Sequence, residues 1–339
     1  MKKILMAVTE WNYPTVITPE VEAKIKALGD VVQREDLANK ATEDYDPEAA
    51  YVKAIREVQP EIIVTGWGTA MLTMKAYRAS PDLKYLCHCA GTVRKLVARE
   101  VIEAGLLVSN WGPLPARTVA EASLMMTLAG LRKVSGFIRA MDAGGWRDDE
   151  FTGASLFERK VGLQGLGVIA QEFVRLLGPF GCEVSAYSPH CPDEVFERLG
   201  VRRETSLARL YAESDVVSIH ASNTPENYHV VNKEILDGMQ DGAVLVNTAR
   251  GAIIDGAALA QKLREGKIWA ALDVYETEPL PEDSPFRGLT NALLMPHQGG
   301  PTADRRKDMG RHALANLTRY INGEPVTDVV DLRKYDLIT

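Results

Sequence analysis

A glycine-rich turn between an apolar strand and a helix constrains the fold of this chain more than any other feature. Residues 160–164 have the composition of a buried strand, and Gly165-Leu166-Gly167-Val168-Ile169-Ala170 leads from them into a helical pattern that ends at Leu177. The first glycine permits a tight turn, the second permits a ligand to approach the backbone, and the small alanine lets helix and strand pack closely. Such a turn is typical of a parallel sheet covered by helices.

The same turn predicts a binding site for a dinucleotide cofactor, because a helix N-terminus offers amide donors and partial positive charge to a pyrophosphate. Glycine also serves tight turns for steric reasons alone, but a second strand at residues 183–187 favours the cofactor interpretation. That strand ends at Ser188, where a carboxylate usually binds the ribose of NAD. With neither a carboxylate nor an arginine there, we expect NAD, with NADP as the alternative. The predicted contacts on the turn are Gly165, Gly167, Val168 and Ile169.

Length and composition predict two globular domains and a small-molecule partner. The chain has 339 residues, of which 46% are apolar and 25% are charged, and roughly 100 to 200 residues form one domain. The net charge of −7 gives no basic surface for nucleic acid or anionic lipid. No apolar run reaches the roughly 18 residues of a membrane span. Four cysteines are too few for a disulfide framework, which favours a cytoplasmic location.

Cys87-His88-Cys89 raises the question of a metal site. In a strand the two sulfur atoms would point to the same face, but no second ligand pair with the spacing of a zinc site lies nearby in the sequence. We therefore expect no bound metal.

Strands and helices alternate in two series along the chain. The first series has strands at residues 4–8, 61–64, 83–89 and 106–109. Thr18-Pro19 and Asp46-Pro47 each place a capping oxygen before a proline, so we expect helices to begin there. The second series runs from Lys160 to about His297 and is followed by a final helix near residues 303–321. The pattern predicts two α/β units.

A long helical pattern at residues 116–143 carries more apolar surface than one buried face needs. The surplus indicates a contact beyond its own domain. We expect this helix to pack on its counterpart in a homodimer, since two-fold contacts are the commonest in oligomers. The alternative is an internal helix between the two domains.

Three polar side chains follow strand ends in the second series, where ligands gather in an open α/β sheet. Arg250 follows one apolar strand, Glu278 follows a strand that includes Asp273, and His297 follows a third. Taken singly, Arg250 is consistent with a surface ion pair, Glu278 with a solvated loop charge and His297 with a capped turn residue. Together, beside a dinucleotide turn, they provide a carboxylate clamp, a proton donor and a carboxylate that keeps the donor charged. This set suits hydride transfer to a carbonyl group.

These segments resemble the signature blocks of the D-isomer-specific 2-hydroxyacid dehydrogenases. The blocks are Gly165-Leu166-Gly167-Val168-Ile169-Ala170, Asn247-Thr248-Ala249-Arg250-Gly251 followed by Asp255, Asp273-Val274-Tyr275 through Glu278-Pro279, and Pro296-His297-Gln298-Gly299-Gly300. Val119-Ala120-Glu121 and Ala90-Gly91-Thr92 extend the similarity over nearly the whole chain.

The resemblance implies an α/β fold of two Rossmann- or flavodoxin-like domains, each a doubly wound parallel sheet, with a cleft between them. Residues 1–108 and 300–339 would form the substrate-binding domain, and residues 109–299 the NAD(P)-binding domain. The implied activity is NAD(P)-dependent interconversion of a 2-oxo acid and a D-2-hydroxy acid. The small acid itself would be the partner, and its identity stays open.

The resemblance also implies roles for individual residues. His297 would be the acid/base, Glu278 its partner, and Arg250 the group that binds the substrate carboxylate and polarises the carbonyl. Asp273 would hold the nicotinamide amide. The further cofactor contacts implied are Ser188, Thr224, Thr248, Ala249, Gly299 and Gly300. The substrate contacts implied on the first domain are Trp67, Gly68, Gly91 and Thr92.

Two departures from the family pattern leave alternatives open. Ser188 stands where the ribose-binding Asp is usual, so the serine would donate a hydrogen bond to the ribose and cofactor selectivity would be loose. Arg94 stands where many members have an acidic or amide residue. It would either reach a second anionic group on a larger substrate or make a surface ion pair.

One alternative function is a cofactor-sensing binding protein that keeps the fold but changes partners with NAD(H). Arg250, Glu278 and His297 do not distinguish it from an enzyme, whereas an oxidation-reduction assay with 2-oxo acids does. Formate dehydrogenation is disfavoured, because that branch is expected to have an amide partner for the histidine and Glu278 is a carboxylate.

Overall fold

The computed structural model describes residues 1–146 and 152–337, which form two compact α/β units. Unit 1 comprises Met1–Leu114 and Thr302–Thr339, and unit 2 comprises Pro115–Pro301. Residues 109–114 belong to unit 1, because the chain there still makes hydrogen bonds within that unit. The amide of Trp111, for example, donates to the carbonyl of Ala90 at 3.1 Å.

Unit 1 is built on a five-stranded parallel sheet. Its strands are β1 (Lys3–Ala7), β2 (Asp30–Gln33), β3 (Ile62–Thr65), β4 (Tyr85–His88) and β5 (Leu107–Ser109). Their order, β2-β1-β3-β4-β5, is that of a flavodoxin-like sheet. Alternate residues fill two separate cores, with Leu5 and Ile63 on one face and Ile4 and Ile62 on the other. Both faces are therefore covered, as parallel sheets require.

The first helices of unit 1 are α1 (Tyr13–Val16), α2 (Pro19–Leu28), α3 (Pro47–Val58), α4 (Met74–Tyr77) and α5 (Arg99–Glu103). The two predicted caps are confirmed. The Thr18 hydroxyl accepts from the amide of Val21 at the start of α2. The Asp46 carboxylate accepts from the amides of Glu48 and Ala49 at the start of α3.

Unit 2 contains a seven-stranded parallel sheet. Its strands are β6 (Lys160–Gln164), β7 (Glu183–Tyr187), β8 (Arg202–Arg203), β9 (Val216–Ile219), β10 (Val244–Asn247), β11 (Trp269–Leu272) and β12 (Ala292–Leu294). Their order is β12-β11-β10-β9-β6-β7-β8. The chain reverses direction across the sheet between β6 and β9, and ligands bind at such a switch point in open α/β sheets. The glycine turn follows β6 directly. The prediction of two α/β parallel-sheet domains is confirmed.

The helices of unit 2 are α6 (Ala116–Leu131), α7 (Val134–Asp142), α8 (Val168–Leu177), α9 (Asp193–Leu199), α10 (Leu207–Glu213), α11 (Lys233–Asp237) and α12 (Gly256–Arg264). The prediction of one continuous helix over residues 116–143 is wrong. Lys133 has a φ of 56°, in the left-handed region, and separates α6 from α7. Its ammonium group lies 5.3 Å from the centre of the Trp269 ring. The helix breaks without a glycine or proline at this point.

The chain returns to unit 1 with α13 (Arg306–Ile321) and α14 (Leu332–Leu337). Arg94 donates from Nε to the carbonyl oxygen of Tyr335 at 2.9 Å and from Nη2 to that of Asp336. Cations at a helix C-terminus satisfy its last carbonyl groups and its dipole. Arg94 therefore anchors the last helix, which differs from both roles considered for it in the sequence.

Within the described ranges, no helix is both long and apolar enough to span a membrane. The same ranges contain no cluster of three or more His, Cys, Asp or Glu side chains suited to a metal ion. Cys87 and Cys89 are buried in the same core of unit 1 as free thiols.

Candidate active site

The sheet of unit 2 brings the three predicted catalytic residues to one edge. Arg250 follows β10, Glu278 follows β11 and His297 follows β12, and these three strands are neighbours in the sheet. Because parallel strands end at the same edge, residues separated by up to 47 positions in sequence become close neighbours in space.

His297 and Glu278 form a hydrogen-bonded pair. The distance from His297 Nδ1 to Glu278 Oε2 is 2.6 Å, and Glu278 Oε1 accepts from the amide of Tyr275 at 3.0 Å. An ionised carboxylate can only accept, so Nδ1 carries the hydrogen of this bond. The other ring nitrogen, Nε2, is left to exchange a proton with a ligand, and the His297 side chain is 49% exposed.

The two groups shift each other's titration. The hydrogen bond with Glu278 raises the pKa of His297 above its usual value, against the opposing effect of burial. Burial alone would raise the pKa of Glu278, but the bonds from His297 and from the Tyr275 amide outweigh it and lower that pKa. Both shifts favour a protonated imidazole beside an ionised carboxylate, which is the state that a proton donor needs.

Arg250 occupies a turn that the side chain of Asn247 holds in shape. Asn247 is fully buried; its Nδ2 donates to the Arg250 carbonyl and its Oδ1 accepts from the Ala249 amide, each at 3.0 Å. Burial lowers the pKa of Arg250, and the negative charge of Glu278 opposes that change. An arginine stays charged under these conditions. The sequence interpretation missed Asn247, although an amide ending an apolar strand was the available signal.

Asp273 fixes the backbone that carries His297. Its carboxylate oxygens accept from the amides of Gln298 and Gly299, both at 2.8 Å, and its carbonyl accepts from the amide of His297 at 2.9 Å. A Cβ atom at position 299 would lie 2.7 Å from Asp273 Oδ2, so the close approach needs glycine. Burial raises the pKa of Asp273, and the two amides oppose it. The predicted contact of Asp273 with the nicotinamide stays a prediction.

The glycine turn has the geometry needed to hold a dinucleotide. Gly165 has a φ of 95°, and a Cβ atom there would lie 2.8 Å from the amide nitrogen of Ala221. A Cβ atom at Gly167 would have open space around it, and no side chain of residues 1–146 or 152–337 caps the first turn of α8. The amides at that helix end therefore suit an anionic pyrophosphate.

One family model matches the part of the chain that contains the glycine turn and the three catalytic candidates. The model of the D-isomer specific 2-hydroxyacid dehydrogenase NAD-binding domain matches residues 124–299, more than half of the chain. The chain belongs to the D-isomer specific 2-hydroxyacid dehydrogenase family. The prediction of this family and of an NAD(P) cofactor is confirmed.

Relatives in this family have different names. D-3-phosphoglycerate dehydrogenase of Methanocaldococcus jannaschii is 32% identical over 273 residues, which are 80% of this chain and 52% of that protein. Glyoxylate reductase of Thermofilum pendens is 30% identical over 318 residues, 92% of this chain and 91% of that protein. The crystal structure of a glyoxylate reductase from Paecilomyes thermophila has a TM-score of 0.80 and 25% identity, covering 98% of this chain and 99% of that one. This chain spans about half the length of the D-3-phosphoglycerate dehydrogenases that it matches.

The remaining cofactor residues predicted for this family member also follow strand ends of the unit 2 sheet. Ser188 follows β7, and its Oγ accepts from the amide of Leu166 in the glycine turn at 3.2 Å. Thr224 follows β9, and its carbonyl accepts from the Asn227 amide. Thr248, after β10, shares a 2.8 Å hydrogen bond with the hydroxyl of Ser123. Ala249 lies next to it, and Gly299 and Gly300 follow β12.

The substrate residues implied by the family pattern lie on two loops of unit 1. Trp67 and Gly68 follow β3, and Gly91 and Thr92 follow the neighbouring strand β4. The rings of Trp67 and Trp111 meet edge to face at 5.5 Å, and a Cβ atom at Gly91 would lie 2.7 Å from the Trp111 ring. The loops thus come together within unit 1, and their contact with substrate stays a prediction.

Proposed function

We propose that this protein is an NAD(P)-dependent 2-oxo acid reductase that makes, or in reverse oxidises, a D-2-hydroxy acid. The observation that carries the proposal is the 2.6 Å bond between His297 and Glu278, at the same sheet edge as Arg250 and a dinucleotide turn. This arrangement supports a charged proton donor beside a carboxylate-binding guanidinium.

Bound NAD(P)H would supply a hydride to the carbonyl carbon of the substrate. Arg250 binds the substrate carboxylate with its fork of donors and draws electron density toward the carbonyl oxygen. The protonated His297 transfers its Nε2 proton to that oxygen as negative charge develops there. Glu278 keeps the imidazole charged before transfer, and during oxidation Nε2 of neutral His297 accepts the proton of the substrate hydroxyl.

A panel of 2-oxo acids tests the proposal. Glyoxylate, hydroxypyruvate, phenylpyruvate, 3-phosphohydroxypyruvate and sugar-derived oxo acids are offered with NADH and with NADPH, and cofactor oxidation is followed by absorbance. We expect turnover of at least one acid and a product of the D configuration. Binding of NADH without turnover of any acid would instead support the cofactor-sensing alternative.

Glu278→Gln should shift the pH profile of this reaction. Glu278 raises the pKa of His297, and a neutral amide removes most of that effect. Because the donor is lost as pH rises through the pKa of His297, the basic limb of kcat/KM for reduction should move to lower pH. Glu265→Gln changes an exposed carboxylate at the residue that follows α12 and should leave the limb in place. An unmoved limb in Glu278→Gln would mean that the two groups do not couple in the enzyme.

The surroundings of Ser188 favour NAD with modest discrimination. Arg202 is paired with Glu204 and Glu213, both at 3.2 Å. Arg203 pairs with Asp193 at 2.7 Å and also donates to the carbonyl oxygen of Ser188. Both arginines therefore have acidic partners already, and a ribose phosphate would have to compete with them. The Ser188 hydroxyl accepts from Leu166, which leaves its hydrogen to donate to a ribose oxygen.

Ser188→Asp should sharpen the preference for NADH. A carboxylate at this strand end repels a 2′-phosphate and accepts from the ribose hydroxyls of NAD. We expect the ratio of kcat/KM with NADH to that with NADPH to rise by about tenfold or more, while Ser188→Ala leaves the ratio near that of the wild type. A wild-type protein that prefers NADPH by a factor of about a hundred would contradict this assignment.

We also propose that the protein is a homodimer. Unit 2 exposes a set of large apolar side chains on and near α6 and α7, namely Met125, Phe137, Ile138, Met141 and Trp146. Ile138 is 52% exposed and Trp146 is 79% exposed, and large apolar side chains exposed in such number favour a protein contact. Light scattering should give about twice the chain mass of 37.3 kDa at micromolar concentration. Ile138→Asp with Met141→Asp should lower it toward one chain, and a wild-type mass near 37.3 kDa would reject the dimer.

A reducing compartment suits the cysteines. All four are free thiols, and Cys87 and Cys89 are buried. We propose a cytoplasmic location on this ground, since thiols stay reduced there.

A further inference from the structure

A second histidine–carboxylate pair lies in unit 2, outside the site described above. His229 Nε2, itself buried, lies against Glu276 Oε1, and the two side chains are 31% and 41% exposed. The ring of Tyr228 stacks on His229 with centroids 4.0 Å apart and planes 12° from parallel. Glu276 precedes Glu278 by two residues on the same loop.

The backbone of His229 pairs with the segment that follows Arg250. The His229 amide donates to the Ala252 carbonyl at 2.9 Å, and the Val231 amide donates to the Ile253 carbonyl at 3.1 Å. His229 itself has a φ of 50°. A histidine in the left-handed region is uncommon and persists where surrounding contacts enforce it, which is frequent at functional sites.

Glu276 also contacts this segment. Its Oε1 accepts from the amide of Gly256 at 3.4 Å, at the first residue of α12. The loop backbones are also tightly packed, since a Cβ atom at Gly251 would lie 1.9 Å from the carbonyl carbon of Tyr275. The Tyr275 amide in turn donates to Glu278. His229 and Glu276 thus contact the segment after Arg250, and backbone packing at Gly251 joins that segment to the loop that carries Glu278.

We propose that His229, acting through Glu276, is a positioning residue that holds the Arg250 turn and the Glu278 loop in register. A contact between two partly exposed side chains adds at most a little to folding stability. Its effect is on geometry, because a clamp and an acid on different strands must both meet one small substrate within a fraction of an ångström. The inference rests on the proposed function, whose reaction uses both loops.

Three variants test the positioning role of His229 and Glu276. His229→Asn removes the imidazole but keeps a residue that tolerates the left-handed backbone. Glu276→Gln removes the charge and alters a partly exposed side chain, so it carries the test if His229→Asn does not fold. The double variant shows whether the two act as one unit. We expect either single change to lower kcat for 2-oxo acid reduction roughly tenfold to a hundredfold, and the double variant to fall no further.

Three other readouts separate positioning from a purely structural role. KM for the 2-oxo acid should rise because Arg250 moves, whereas KM for NADH should not change because the glycine turn follows β6. The basic limb of the reduction profile should shift to lower pH as Glu278 loses its place beside His297. Lys233→Gln removes the nearby exposed pair with Asp237 on α11 and should behave as wild type. Lower thermal stability with unchanged kcat, KM and pH limb would overturn the proposal.

An NMR titration of the His297 ring keeps this inference separate from the proposed function. Its pKa should fall in both His229→Asn and Glu276→Gln, whether or not a turned-over acid has been found. An unchanged pKa in both variants would overturn the positioning role. A wild-type protein that reduces no 2-oxo acid, by contrast, would overturn the proposed function alone.

Discussion

Replacing His297 with alanine should lower the rate of 2-oxo acid reduction by about 10²- to 10⁴-fold, the range expected for the loss of a positioned acid. His297 Nδ1 lies 2.6 Å from Glu278 Oε2. The carboxylate of Asp273 accepts from the amides of Gln298 and Gly299, which follow His297 in sequence. The effect should be measured on kcat under saturating NADH, with the best acid of the panel.

A second variant separates the loss of the imidazole from the effect of backbone strain. His297 has a φ of 54°, which alanine adopts at a cost and asparagine tolerates better. His297→Asn should therefore lose activity to the same degree while keeping the loop conformation. NADH affinity, followed by fluorescence, should be near that of wild type in both variants, because the glycine turn belongs to β6 and α8. Turnover within tenfold of wild type in His297→Asn would remove His297 from the mechanism.

Arg250→Lys should lower kcat/KM for the 2-oxo acid by about 10²-fold or more, the scale for losing one donor that stabilises developing charge. A lysine ammonium is a point charge and cannot reproduce the planar fork that grips a carboxylate in two places. The turn itself should survive, since Asn247 holds it through the backbone of Ala249 and Arg250. Steady-state kinetics with both substrates varied should place the loss on the acid and not on NADH.

Arg264→Lys is the matched control for that change. Arg264 is exposed at the last residue of α12, so the same substitution there should leave both KM values and kcat unchanged. Near-normal turnover of a 2-oxo acid by Arg250→Lys would show that Arg250 is not the carboxylate clamp. Loss of NADH binding in that variant would point instead to a disturbed cofactor site.

Much of the fold was predictable because its signals are local. The glycine turn, the caps at Thr18 and Asp46, and the alternation of strands with helices each depend on a few adjacent residues. The predicted positions of Arg250 and His297 after their strands depend on the same short-range patterns. A parallel sheet then brings strand ends together without any further information, because all its strands end at one edge.

Other features depend on contacts that no local pattern contains. Arg94 and Tyr335 are 241 residues apart in sequence, so the anchoring of α14 could not be foreseen from either segment. Lys133 takes a left-handed conformation that its residue type does not favour, and the predicted single helix therefore ends early. The order of the seven strands likewise depends on long-range pairing.

The sequence by itself determined the family of this protein, its two parallel sheets and the residue types of its site, because hydrophobic periodicity, turn chemistry and motif spacing are properties of short segments. Only the tertiary structure decided which side chains meet. The bond between His297 and Glu278 and the contact between His229 and Glu276 each join different loops. Such contacts follow from strand order and loop packing, which arise when the whole chain minimises its exposed apolar surface and pairs its buried polar groups.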